Sequence, residues 1–119
     1  MKDISKELEY HGKTYKIVFN LNVMEQIQEH FGTVEAWADA MSTEDGKEPK
    51  AGDIIYGFWC MINEGIDIDN EDKPDNEQIK PLTLKQVGRM LTEVGIAGAA
   101  EQMKNVVVES TKADTSKNA

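Results

Sequence analysis

The groups best suited to chemistry in this 119-residue chain are His11, His30, Cys60 and the carboxylates between Asp67 and Glu77. Asp67, Asp69 and Glu71 reproduce the opening of a calcium-binding loop. That loop also needs glycine at its sixth position for the sharp turn and a bidentate glutamate at its twelfth. Here those positions are Asp72 and Gln78, so the segment reads as a solvated acidic connection and no metal or cofactor is expected. His11 falls in a His-Gly-Lys turn and His30 near the end of a helix, each without a second ligand at a workable spacing. Cys60 sits in the apolar run Phe58-Trp59-Cys60-Met61, which predicts a buried, unreactive thiol. A lone cysteine also excludes an internal disulfide. The chain contains no Gly-x-Ser-x-Gly, no glycine-rich phosphate loop and no His-Glu-x-x-His. No catalytic residue is assigned, and the chain reads as a non-enzyme.

The elements around these groups follow from periodicity. Residues 7–10 and 14–19 predict a β-hairpin about a His11-Gly12-Lys13 turn, with Gly12 at positive φ. Alternation places Tyr15, Ile17 and Phe19 on one face, and Lys16 with Val18 on the other. Asn20 or Asn22 then caps a helix ended by Gly32, with Leu21, Met24, Ile27 and Phe31 recurring at three- and four-residue steps. A short helix opens at Thr33, with Val34, Trp37, Ala38 and Met41 as its apolar face. After a loop over 42–52, Asp53 is read as the cap of a helix over 53–63 that is apolar nearly all round and stops at Gly65. Such a helix is either central or meets a partner. A long connection over 65–81 follows. Thr83 and Gln86 form a capping-box pair opening a helix to about Val94, with Leu84, Val87, Met90, Leu91 and Val94 inward. Gly95 breaks the chain before a last helix over 96–108, with Ala97, Ala100, Met103 and Val107 inward and Gly98, Ala99 and Ala100 suited to close helix approach. The fold class expected is α+β, mainly helical: an N-terminal hairpin packed on about five short helices. Residues 1–109 form one domain and 110–119 a disordered tail.

Composition narrows function by exclusion. Lys and Arg number 13 against 22 Asp and Glu, for a net charge of −9. That balance disfavours nucleic acid, whose binding requires positive surface. No apolar run approaches the roughly 20 residues of a membrane span. The N-terminus lacks the apolar core of a secretory signal, so the expected address is a reducing cytoplasm. The internal methionines fall on helical apolar faces, where they fill core or line an adaptable groove. The residues expected to meet a partner are Met24, Ile27, Trp37, Met41, Phe58, Trp59 and Met61.

From Glu9 to Val108 the sequence resembles the tail assembly chaperones of long-tailed bacteriophages and prophages. The resemblance lies in the hairpin 11–19 running straight into Asn20-Leu21-Asn22 and a helix stopped at Phe31-Gly32. It lies also in the helix over 54–64 followed by an acidic insertion, and in the late helix start Leu82-Thr83-Leu84-Lys85-Gln86-Val87-Gly88. It implies a non-catalytic role: holding the tape-measure protein in soluble form and promoting tail-tube assembly around it, with the major tail tube protein as a further partner. It implies a site of action in the cytoplasm of the bacterial host and absence from the mature virion. Many members also have a frameshifted longer form, and Ser116-Lys117-Asn118 can be encoded by a slippery run; Lys104-Asn105 repeats the dipeptide. A homo-oligomer is a further expectation. The alternatives are an acidic phage inhibitor that mimics DNA, or a structural tail completion or connector protein.

Overall fold

The computed structural model describes residues 4–42 and 44–117, with side chains over 6–42 and 44–109. Strands β1 (Ile4–Tyr10) and β2 (Lys13–Phe19) pair antiparallel, with Leu8 opposite Tyr15 and Tyr10 opposite Lys13. Lys13 therefore belongs to the ladder, and the turn is the two residues His11 (φ 51°) and Gly12 (φ 75°). Two successive positive φ values give the turn whose twist matches that of the strands, which is why it displaces the expected three-residue turn. Tyr15, Ile17 and Phe19 are buried as alternation requires, and Val18 on the opposite face is buried too. The end of β2 is thus covered on both sides.

Asn20 opens α1 (Leu21–Phe31), its Oδ1 accepting from the Val23 N–H at 3.2 Å, and Gly32 at φ 93° closes it. The buried stripe is Val23 and Ile27, while Leu21 is 67% exposed. The expected face was therefore rotated. Glu64 accepts from Asn20 Nδ2 at 2.6 Å and from Asn22 Nδ2 at 3.0 Å, and this attachment turns Val23 inward in place of Leu21. Thr33 caps α2 (Val34–Ala40) by accepting from the Ala36 N–H at 2.9 Å. Trp37 is the buried residue of α2, whereas Ala38 is exposed.

The central helix is α3 (Ala51–Asn70), which packs against β2, α1 and α4. It corrects the sequence reading at both ends. Lys50, in extended conformation, precedes its first turn, and Asp53 lies inside that turn, where its carboxylate complements the helix dipole. At the other end the helix runs through Gly65, which is buried, to Asn70. A β-carbon at Gly65 would collide with the backbone carbonyl of Lys16, so this glycine permits close helix–strand contact and terminates nothing. Trp37 uses Gly57 in the same way: a β-carbon there would come within 2.8 Å of its ring. The Trp37 indole N–H is buried without a hydrogen-bond partner among the described residues.

The connection after α3 is shorter than expected and is held by side chains. Asn70 pairs with the backbone of Ile79, donating to its carbonyl at 2.8 Å and accepting from its N–H at 3.0 Å. Asn63 treats Leu82 in the same manner, at 3.0 and 2.9 Å. Each primary amide offers a donor and an acceptor side by side, so it can replace a neighbouring strand. The segment is thereby laid back along α3 and delivers Thr83, which with Gln86 forms a complete capping box on α4 (Leu84–Val94). Gly95 at φ 101° separates α4 from α5 (Ile96–Lys117).

In α5 the buried positions are Ala99, Met103 and Val106, with Ala100 and Val107 half-buried and Ala97 exposed. Gly98 is also exposed and would meet nothing with a β-carbon, so it is not a close-approach point. The backbone stays helical to Lys117, where the sequence reading expects a tail from 110; no proline or glycine interrupts that stretch. Asn118 and Ala119 lie outside the described residues. The architecture is a mainly helical α+β fold, a hairpin packed on helices. Its core joins Phe19, Ile27, Phe58, Met61, Met90 and Met103.

Candidate partner-binding groove

An open groove of about 790 Å³ lies between the first half of α3 and α4. Ile55 and Tyr56 line it from α3, Leu84, Gly88 and Arg89 from α4, and His30 from the end of α1. The capping box sets where α4 starts and therefore where Leu84 emerges. Leu84 is 46% exposed, contrary to its expected inward position. As the first residue of the helix it lies a turn before the buried face of Val87, Met90 and Leu91. Val94, also expected inward, is exposed at the other end of α4.

One end of the groove is aromatic. His30 stacks on Tyr56 with centroids 3.9 Å apart and planes 16° from parallel, and Phe31 meets Tyr56 edge-on at 5.9 Å. Tyr56 leans on Trp59 at 5.5 Å, and the Trp59 indole donates to the Leu82 carbonyl at 2.8 Å. Edge-to-face and offset contacts of this kind are the favoured arrangements of neighbouring rings. Burial raises the Tyr56 phenol above its ordinary pKa, with Cys60 adding to the effect. Burial likewise pushes the Cys60 thiol up to about 11. At neutral pH this thiol is protonated and buried, as expected from its apolar run.

The α4 wall is basic. Lys85 and Arg89, one turn apart, are both exposed, and among the described residues neither has a carboxylate within ion-pair distance. Arg89 is the sole arginine of the chain. The next acid along α4, Glu93, is engaged by His11 Nε2 at 2.9 Å. Asp53 stands on the α3 side.

The residues predicted to meet a partner are distributed differently. Ile27, Trp37, Phe58 and Met61 are buried core residues in this fold. Met24, Met41 and Trp59 are half-buried and pack against the core. None of these residues lines the groove; Trp59 reaches it only through Tyr56. The sequence signals that were missed are an apolar residue directly after a capping threonine and an isolated Lys85/Arg89 pair in an acidic chain.

Among the described residues the acidic side chains do not converge on one point. Asp67 is exposed on α3, Asp69 pairs with Lys16 at 3.0 Å, and no group of three or more potential ligands converges among the described residues. No helix of the described residues is long and apolar enough to cross a membrane. Comparison with protein-family models, with curated proteins and with solved structures finds no match to this chain.

Proposed function

We propose that this chain is a non-catalytic assembly chaperone of a bacteriophage tail, acting in the cytoplasm of the host and absent from the finished particle. It binds the tape-measure protein, keeps it soluble, and releases it as tail-tube subunits assemble. The observation that carries the binding role is the open groove between α3 and α4, with an aromatic end and a basic wall that no carboxylate matches among the described residues. Grooves with apolar floors and charged rims suit amphipathic helices, and tape-measure proteins are long and helical. The partner's identity comes from the resemblance over residues 9–108. The net charge of −9 favours this role, since mutual repulsion keeps a protein with open apolar surface from aggregating.

The test is co-expression with the tape-measure protein encoded in the same genome. The expected result is that the partner becomes soluble and co-purifies with this chain. A partner that stays insoluble overturns the reading. Recovery of this chain in purified particles would instead make it a structural tail component.

A further inference from the structure

We infer that the groove between α3 and α4 seats a short amphipathic helix of a different protein, with acidic residues along the edge that faces α4. The inference rests on the reading of the chain as a binding protein and names the chemistry of what is bound.

Shape gives the length. On α4 the wall runs from Leu84 through Gly88 to Thr92 at four-residue steps, a span of about 12 Å at 1.5 Å per residue. Gly52 and Tyr56 mark a matching step on α3. About two turns of a third helix fill such a space. Gly52 on the α3 wall leaves room for that helix to approach, while Gly88 lies against Ile55 across the groove. A β-carbon at Gly52 would meet nothing within 4 Å, and one at Gly88 would only touch Ile55 at 3.5 Å.

Charge selects the occupant. On a chain of net charge −9, an acidic segment is repelled from most of the surface. Lys85 and Arg89 offer it a local exception, unmatched by any carboxylate among the described residues. Glu93, the nearest acid on the same helix, is already bound to His11. Asp53 on the facing wall disfavours acid on the occupant's other edge, which fixes its orientation. A second copy of this chain is a poor occupant. Among the described residues its exposed large apolar side chains, Leu21, Leu84, Val94, Ile96 and Val108, are scattered over three helices and form no single apolar stripe.

The test titrates the isotope-labelled full chain with two synthetic helical peptides of about four turns. They share one leucine face and differ only in carrying Glu or Lys along one flank. The Glu peptide is expected to shift the amides of Gly52, Tyr56 and Gly88, and to bind about tenfold tighter than the Lys peptide in low salt. In a Lys85→Glu/Arg89→Glu double variant the preference reverses. Gly52→Leu, at an exposed position with open space around it, blocks binding while leaving the circular dichroism unchanged. Equal affinity for both peptides, shifts that map elsewhere, or no shifts overturn the inference. So does self-association through this face that the peptide cannot displace. Because no phage protein is used, the outcomes separate. Successful titration with failed co-expression removes the tape-measure protein and keeps the groove. The reverse keeps the chaperone and moves its contact to another face.

Discussion

Gly65 faces the backbone carbonyl of Lys16 so closely that a β-carbon there would collide with it. Helix α3 and strand β2 therefore meet backbone to backbone at this point, and α3 lies along β2 more closely than side chains would allow. The contact places Asp69, one turn further along α3, at 3.0 Å from Lys16 Nζ, and it sits beside Glu64, which holds Asn20 and Asn22 at the start of α1. One missing β-carbon thus sets how the hairpin, α3 and α1 are joined.

Gly65→Ala should lower stability by about 1–3 kcal/mol, the usual range for forcing an extra carbon into a packed interior, despite the better helix propensity of alanine. Gly98→Ala is the control. It lies within α5 with open space around it, so propensity alone acts, and the change should be neutral or stabilising by up to about 1 kcal/mol. Urea denaturation of both variants decides the matter. Equal midpoints would mean the helix–strand contact has little weight.

Asn63→Ala should free the segment that leads into α4. It leaves the Leu82 N–H without its acceptor while the Leu82 carbonyl keeps the Trp59 indole. The expected cost is about 1–3 kcal/mol for an orphaned, partly buried donor. Amide hydrogen exchange gives the sharper readout. The Leu82 amide should lose protection in this variant, and the Ile79 amide, held by Asn70, should lose protection only in Asn70→Ala.

Thr83→Ala should cost about 1 kcal/mol by removing the N-cap of α4. Its hydroxyl oxygen accepts from the Gln86 N–H at 3.1 Å, while Gln86 Oε1 accepts from the Thr83 N–H at 2.8 Å. Gln86→Ala removes only the second bond and should cost less. A thermal melt ranks the two, and the order Gln86→Ala below Thr83→Ala in melting temperature would contradict the capping argument.

Cys60 should make stability fall at alkaline pH. Its folded pKa of about 11 lies above the ordinary value of 9.0 because burial disfavours the thiolate. Between those values the unfolded chain loses the proton first, so unfolding is favoured as pH rises. Below pH 9 the contribution is fully present, and through pH 11 it is lost. The size is on the order of 2 kcal/mol. Denaturation at both ends of this window should show a drop that Cys60→Ala reduces. A thiol reagent at pH 8 should leave the folded protein unmodified and label it on unfolding.

Local chemistry made much of the fold legible. Alternation placed Tyr15, Ile17 and Phe19 inward, and turn chemistry put Gly12 at positive φ. Thr33, Thr83 with Gln86, Gly32 and Gly95 marked helix ends as expected. These signals act within a few residues, so a sequence carries them whole. Gly65 misled because helical glycine reads as a stop when its neighbour in space, Lys16, is forty-nine positions away. Leu21 and Leu84 misled because a three- and four-residue spacing defines a stripe without saying which way it faces. Glu64 and the Asn63 and Asn70 amides decide that from outside the helices concerned. For the same reason Ile27, Trp37, Phe58 and Met61 went to the core, and the groove fell to Tyr56, Leu84, Gly88 and Arg89.

By itself the sequence determined the composition-bound properties: an acidic chain, a lone cysteine in an apolar run, one hairpin, and the helices with most of their caps. Each depends on residue type or on interactions within a turn or two. Tertiary structure alone decided that Leu21 and Leu84 face outward, that α3 passes through Gly65, and that the sole arginine stands over an aromatic-ended groove. Those depend on contacts between residues far apart in the chain, whose geometry exists only once the helices have packed.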